Sequence, residues 1–360
     1  MNRKTATEAY ALKVSKKQGE KAIRLASRLG LLDKHLGIIK EGDFLFIPLV
    51  QKPIPRQAEE IRKSLVDSKT VVQKFTVRTR QPKTALDLAV KSLPSHLVPL
   101  FPRSLDLIGE IAVVEVPSEL NNYRNLVGEI ILKTHKNVRT VLAKSGAVKG
   151  VWRLRQYEVI AGQHKTGTVH KEHGCKFFLD IEKVYFSPRL SYEHLRVASQ
   201  AKEKETVVDM FAGVGPFSIL MAKIHKDIKI YAVDVNPDAV RFLEKNVIVN
   251  GVLGKVVPIL GDIRKVVKER LRGTADRVIM NLPETAIEYV DIASEALKPE
   301  GGVLHYYEFT KGPDTLDSAK KHLAEALNEA GRKVHEFSAA RIVREVAPFE
   351  WQVVLDAIVK

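Results

Sequence analysis

The chain has 360 residues with 45% hydrophobic and 28% charged content, which suits a globular protein of two or three domains. No run of about 18 apolar residues offers a membrane span, and Met1-Asn2-Arg3-Lys4 leads into no apolar leader, so a cytoplasmic protein is expected. The single cysteine, Cys175, excludes an internal disulfide and a cysteine-based zinc site, while a formal net charge of +15 favours a polyanionic partner.

Three blocks follow in chain order. The first, residues 1–68, reads as a β-α-β-β module. It has a short strand over 10–14 and a helix over 18–31, where Ala22, Ile23, Ala26 and Leu29 recur at helical spacing. The turn Glu41-Gly42-Asp43 then leads into Phe44-Leu45-Phe46-Ile47 as a hairpin, before Pro48, Pro53 and Pro55 break the pattern. Its 14 Lys and Arg against 8 Asp and Glu fit an appended binding domain. The second block, 69–181, mixes a strand at 111–116, a helix at 125–135, an alternating strand at 151–161 and two or three strands between 166 and 186. Cys175, in the apolar stretch Cys175-Lys176-Phe177-Phe178, reads as a small core residue rather than a nucleophile.

From residue 182 to 360 the rhythm is regular. Helices at 192–201, 216–224, 237–250, 264–272 and 284–297 alternate with strands at 207–211, 229–234, 256–260 and 276–280. A strand at 303–309, a helix at 314–330 and two closing strands, around 333–343 and 350–359, complete it. That alternation predicts a largely parallel, doubly wound α/β sheet, with the closing pair as an antiparallel edge.

The sharpest local pattern is Asp209-Met210-Phe211-Ala212-Gly213-Val214-Gly215-Pro216, which ends an apolar strand and opens a helix. Gly213 and Gly215 permit a tight turn, and Pro216 suits a first helical turn where its missing N–H costs nothing. No third glycine follows at the dinucleotide spacing. Asp209 at the strand end can meet a cationic amino acid moiety. Asp234, with Val235 after it, can accept from ribose hydroxyls, and Asp262 at the third strand end can meet an adenine amino group. Three acids at successive strand ends indicate a nucleoside-bearing methyl donor, S-adenosylmethionine. The fourth strand ends in Asn281-Leu282-Pro283, a rigid polar turn of the kind that holds a flipped base; Glu284, where an aromatic residue would stack the base, argues against exocyclic amino chemistry.

Asp-Met-Phe-Ala-Gly-Val-Gly-Pro-Phe (209–217), Asn-Leu-Pro (281–283) and Val-Tyr-Phe-Ser-Pro-Arg-Leu (184–190) together resemble the archaeal and eukaryotic tRNA (guanine-37 N1)-methyltransferases. Leu12-Lys13-Val14, Gln18-Gly19-Glu20-Lys21 and residues 41–48 are similar to that family's N-terminal domain. The resemblance implies a C-terminal Rossmann-like class I methyltransferase domain behind two smaller α+β domains. The first domain would read the tRNA elbow, and the other two would grip the anticodon arm. It implies a monomer with no metal, Glu193 as the base that takes the guanine N1 proton, and Arg153, with Arg155 as a rival, facing the guanine O6. Asn281 would hold the base edge and Pro283 would shape the pocket wall. Family members often carry Arg after the base Glu; His194 stands there in this chain. Two other functions remain open. One is a wyosine-pathway enzyme that methylates the tricyclic base or moves the aminocarboxypropyl group. The other is a non-catalytic RNA-binding module, against which the three intact acids count.

Overall fold

A computed structural model describes residues 6–76, 84–146 and 154–360, which divide into two units at about residue 82. In the first unit, strands β1 (Ala6–Ser15), β2 (Ile39–Glu41), β3 (Phe44–Leu49) and β4 (Lys69–Thr76) form an antiparallel sheet of order β2-β3-β1-β4. Helices α1 (Gly19–Arg28) and α2 (Pro55–Ser64) complete it. Ala22, Leu25 and Ala26 of α1 are buried with Leu12, Val14, Ile47 and Ile61, while Ile23 and Leu29 of the expected stripe are partly buried against them. The boundary expected at residue 68 falls short of this sheet. Tyr10 opposes Val72 and Leu12 opposes Thr70, so residues 69–76 belong with the first unit.

The second unit opens with α3 (Ala85–Ser92), whose Thr84 side chain accepts from the Asp87 backbone N–H as an N-cap. Strands β5 (Leu105–Ile108), β6 (Ile111–Val114), β7 (Thr140–Lys144) and β8 (Tyr157–Gly162) form a four-stranded sheet, with α4 (Arg124–Thr134) between β6 and β7. Two strands, β9 (Gly167–Glu172) and β10 (Cys175–Asp180), form a separate hairpin.

The regular part follows as α5 (Ser191–Gln200), β11 (Thr206–Asp209), α6 (Pro216–Ile224), β12 (Lys229–Asp234), α7 (Pro237–Val249), β13 (Val256–Leu260) and α8 (Ile263–Val266). Then come β14 (Arg277–Met280), α9 (Val290–Ala296), β15 (Gly302–Lys311), α10 (Thr315–Glu329), β16 (Val334–Ala347) and β17 (Glu350–Val359). The seven strands are ordered β13-β12-β11-β14-β15-β17-β16, parallel from β13 to β15 and antiparallel beyond. Val207, Val208, Val278 and Ile279 are fully buried, as strands covered on both faces require. The edge strand β16 slips register at four places, which blunts its exposed ladder. Two expected helices are composite. α8 runs into a π-turn over Val267–Leu271, and a 3-10 turn over Ala286–Tyr289 precedes α9.

The hairpin packs on the large domain. Phe177 and Leu179 lie in one cluster with Phe217, Leu220 and Leu243, and a buried Phe of this kind contributes about 1.5–3 kcal/mol. Along the outer edge of β10, Asn246 and Asn250 of α7 take the place of a neighbouring strand. Asn250 accepts from Lys176 N–H (2.9 Å) and donates to Lys176 C=O (2.7 Å), and Asn246 does the same at Phe178 (2.7 and 3.1 Å).

Candidate active site

The carboxyl ends of β11, β12, β13 and β14 enclose a cleft of about 890 Å³, mouth included. The position follows from the parallel strands, whose ends diverge where the chain crosses to either face. Gly215 has φ +90°, and a Cβ there would stand 2.4 Å from Leu243 Cδ1, so the turn that brings backbone to the cleft needs glycine. Gly213, at φ +55°, lines the cleft and donates its N–H to Asp234 Oδ2 at 2.7 Å.

Of the expected cofactor residues, Phe211, Gly213, Asp234, Val235, Asp262 and Asn281 line this cleft. Asp234 is held by two backbone donors, Gly213 N–H and Asn236 N–H (2.9 Å), and burial raises its carboxyl above the usual range. Asp262 spends Oδ1 on capping Arg264 N–H (2.9 Å). Val235 offers an exposed apolar wall. Asp209 is placed differently: it is fully buried beneath the cleft and does not line it. One oxygen, Oδ2, accepts from Ser218 Oγ at 2.6 Å, and burial pushes the carboxyl up to about 7. Gly215 and Pro216 support the turn from behind rather than line the cleft.

Sequence reasoning missed several lining residues. Asn236 accepts from Asp238 N–H and donates to Lys183 C=O at 2.8 Å, which ties the segment carrying Tyr185 to the cleft wall. Tyr289 packs edge-on against Phe211, ring centres 5.1 Å apart, with Arg264 over its outer face. Asn236 was legible as a helix cap after an acidic strand end; Tyr289, from a turn far along the chain, gave no local signal.

The donor set fits a nucleoside carrying a cationic tail. Three carboxylates stand at or under the strand ends, beside apolar walls from Val235 and Ile263. Among the described residues, Asn281 Oδ1, in the cleft wall, is a buried acceptor with no hydrogen-bond donor. Such atoms are uncommon in a finished fold, and one in a cleft wall is open to a bound group.

A second cleft of about 1090 Å³ shares Tyr185 with the first. Lys144, Arg155, Arg189 and Arg344 line it beside Tyr157, Phe186, Phe309 and Glu284. Cations with aromatic rings are the groups that meet phosphate and stacked bases. Pro283 C=O accepts from Phe309 N–H at 3.0 Å, which fixes the Asn-Leu-Pro turn against β15. Arg155 is thus in the cleft; Arg153 lies outside the described residues.

Glu193 is not a surface acid of a first helical turn. It is 1% exposed, and its Oε2 accepts from Tyr307 O–H and from Arg196 Nε, both at 2.9 Å. It lines neither cleft. Tyr307 follows Tyr306, the residue that opposes Met280 at the end of β14. His194 is also buried and binds Glu172 Oε1 at 2.6 Å. Burial opposes ionisation of Glu172, yet His170, 3.6 Å away, and the hydrogen bond from His194 bring it down to about 2. The histidine at 194 therefore joins α5 to the β9–β10 hairpin. Among the described residues, no group of three His, Cys, Asp or Glu could hold a metal ion, and no helix is long and apolar enough to cross a membrane.

Comparison with known proteins follows the same division. Family models described as the tRNA methyltransferase 5 N-terminal domain, the TYW2 N-terminal domain and the TRM5/TYW2 methyltransferase domain match residues 11–55, 86–166 and 168–335. The tRNA (guanine(37)-N(1))-methyltransferase Trm5b of Pyrococcus abyssi is 39% identical over 346 residues, 96% of this chain and 98% of its own. The tRNA 4-demethylwyosine(37)-methyltransferase Taw21 of Saccharolobus solfataricus is 38% identical over 71% of this chain and 93% of its own. A solved complex of aTrm5 and tRNALeu is similar at a TM-score of 0.80 and 33% identity, covering 97% of this chain and 99% of that one. The Pyrococcus relative runs nearly end to end with this chain, so the chain belongs to the TRM5/TYW2 family of S-adenosylmethionine-dependent methyltransferases.

Proposed function

We propose that this protein methylates N1 of guanosine 37 in tRNA, with Glu193 as the proton acceptor. The observation that carries the reading is the Glu193 carboxylate. It is buried and held at Oε2 by two donors, while its Oε1 has no hydrogen bond among the described residues and only an ion pair with Arg341 Nη2 at 3.2 Å. N1 of guanine keeps its proton at neutral pH, so a positioned carboxylate is needed to free the nucleophilic lone pair. When bound, S-adenosylmethionine supplies an electrophilic methyl group on a sulfonium sulfur. Glu193 Oε1 takes the N1 proton, and Asn281 holds the base edge against the Pro283 wall. A guanidinium, from Arg153 or from its rival Arg155, which lines the second cleft, offsets negative charge growing on O6. In the first cleft, Asp234 would accept from the cofactor's ribose hydroxyls and Asp262 would meet its adenine amino group, while Asp209, beneath the cleft, would favour the cationic amino acid end.

The relative named for guanosine 37 and the solved tRNA complex, both matched nearly end to end, support tRNA as the substrate, as does the net charge of +15. The first unit is the elbow reader in this reading, and Lys13, 4.2 Å over the exposed Phe44 ring, is part of a surface suited to it. Deleting it should weaken methylation of folded tRNA without affecting an isolated anticodon stem-loop. Equal loss on both substrates rules that role out.

The test is transfer of labelled methyl to unmodified tRNA, followed by nucleoside analysis. The expected product is 1-methylguanosine, absent when guanosine 37 is replaced. Glu193→Gln should keep cofactor and tRNA binding and slow transfer about 10²- to 10⁴-fold; a near-normal rate removes Glu193 as the base. The Taw21 relative favours a second reading, methylation of the tricyclic base at the same position. Product formed only on precursor tRNA bearing that base would select it.

A further inference from the structure

The groups behind Glu193 form a chain that the reaction, as written above, does not use. Arg196 donates Nε to Glu193 Oε2 and turns its other edge to Asp356, which is fully buried on β17. Asp356 takes both Nη groups of Arg196, Nε2 of Gln200 at 3.0 Å and Nδ1 of His305 at 2.7 Å. Arg196 is therefore held on both sides and cannot follow a proton that arrives at Glu193. Tyr307, fully buried on β15, has no such anchor of its own; its hydroxyl goes to Glu193 Oε2. Burial, and then the Glu193 charge, hold the phenol proton far above its ordinary range, so Tyr307 donates at every pH the enzyme meets.

The consequence is an asymmetric carboxylate. Both protein donors converge on Oε2, and Oε1 is a buried acceptor without a hydrogen bond among the described residues. Arg341 Nη2 stands 3.2 Å from Oε1 without hydrogen-bond alignment, its side chain a third exposed and stacked on Tyr192. A base must meet its proton with one defined oxygen in one rotamer, since a loss of alignment of about 1 Å costs on the order of a hundredfold.

We infer that Tyr307, together with Arg196 clamped by Asp356, is a positioning residue that pins Glu193 by one oxygen and presents the other to the guanine N1–H. This rests on the reading of Glu193 as base. No covalent change occurs at Tyr307; its proton stays on the phenol throughout.

The test is a double-mutant cycle of Tyr307→Phe and Glu193→Gln, read by single-turnover methylation of unmodified tRNA. Titrations of S-adenosylhomocysteine and of tRNA run alongside. Tyr307→Phe deletes one hydrogen bond to a charged acceptor, so the rate should fall roughly 10- to 100-fold with both affinities unchanged. In the Glu193→Gln background the same substitution should change the rate by less than about twofold, because its effect runs through that carboxylate. An equal fall in both backgrounds makes Tyr307 merely structural and overturns the inference. So does a Tyr307→Phe rate close to that of the unchanged protein while Glu193→Gln is slow. A fast Glu193→Gln protein removes the base reading itself, which the cycle shows separately. Should Phe at 307 weaken S-adenosylhomocysteine binding, the cycle is run with Arg196→Lys, which keeps the charge and loses the two-sided fork.

Discussion

Replacing Asp234 with Ala tests the cofactor cleft most directly. Its carboxylate is fixed by Gly213 N–H at 2.7 Å and Asn236 N–H at 2.9 Å, leaving its remaining lone pairs to the cleft it lines. Two hydrogen bonds from ribose hydroxyls to a charged acceptor contribute about 1.5–3 kcal/mol each, and water replaces part of that in the variant. A loss of about 3 kcal/mol corresponds to a Kd raised roughly 100-fold. Isothermal titration with S-adenosylhomocysteine reads it directly. Thermal unfolding gives an independent measure: at a ligand concentration about 100 times the unchanged protein's Kd, stabilisation of about 2.7 kcal/mol should shrink to about 0.4 kcal/mol. The ligand-free variant should also melt a few degrees lower, since two backbone N–H groups lose their acceptor. If melting drops but the ligand still stabilises the variant by the full amount, Asp234 only holds the turn and the assignment of ribose to it is wrong.

Asp209, raised by burial to about 7, gives a pH signature with a definite sign. Its carboxyl keeps a proton in the fold that it loses near 3.9 in the unfolded chain, so the ligand-free protein should lose stability between about pH 4 and 7. Three units correspond to about 4 kcal/mol; Asp209→Asn should flatten that slope in urea unfolding at pH 5 and pH 8, and parallel slopes in the two proteins would show the titration lies elsewhere. Asn246→Ala removes partners from Phe178 N–H, Phe178 C=O and Val214 C=O. About 2–3 kcal/mol of local stability should go with them, seen as faster hydrogen exchange at Phe178 while β11 keeps its protection; unchanged exchange there excludes the amides as the tether.

The seven-stranded domain was legible because its signals are local. The strand-end acids at 209, 234 and 262 and the glycines at 213 and 215 sit in apolar runs of the right length, and β11, β12 and β13 lie where those runs predict. No periodicity says whether a strand-end carboxylate such as Asp209 faces a cleft or lies below it. The surroundings of Glu193 were illegible for a different reason. Its donor Tyr307 is 114 residues away, and Asp356, which holds Arg196, is 160 residues from that arginine. Such partners meet only through the sheet order. The π-turn at 267–271 was invisible because helical spacing survives one extra residue in a turn. Residues 69–76 fell into the wrong block because β4 returns to pair with β1 from far along the chain, which no local pattern shows.

The two asparagines of α7 that lie along β10 have a consequence for how the chain behaves in a crowded solution. A two-stranded hairpin normally leaves an outer row of N–H and C=O groups on which another polypeptide can extend the sheet. At Lys176 and Phe178 both groups of each residue already carry a side-chain amide, so an incoming strand would have to displace four bonds before forming its own. An amide supplies a donor and an acceptor but has no backbone through which pairing can propagate. The β10 edge is thereby closed without a third strand.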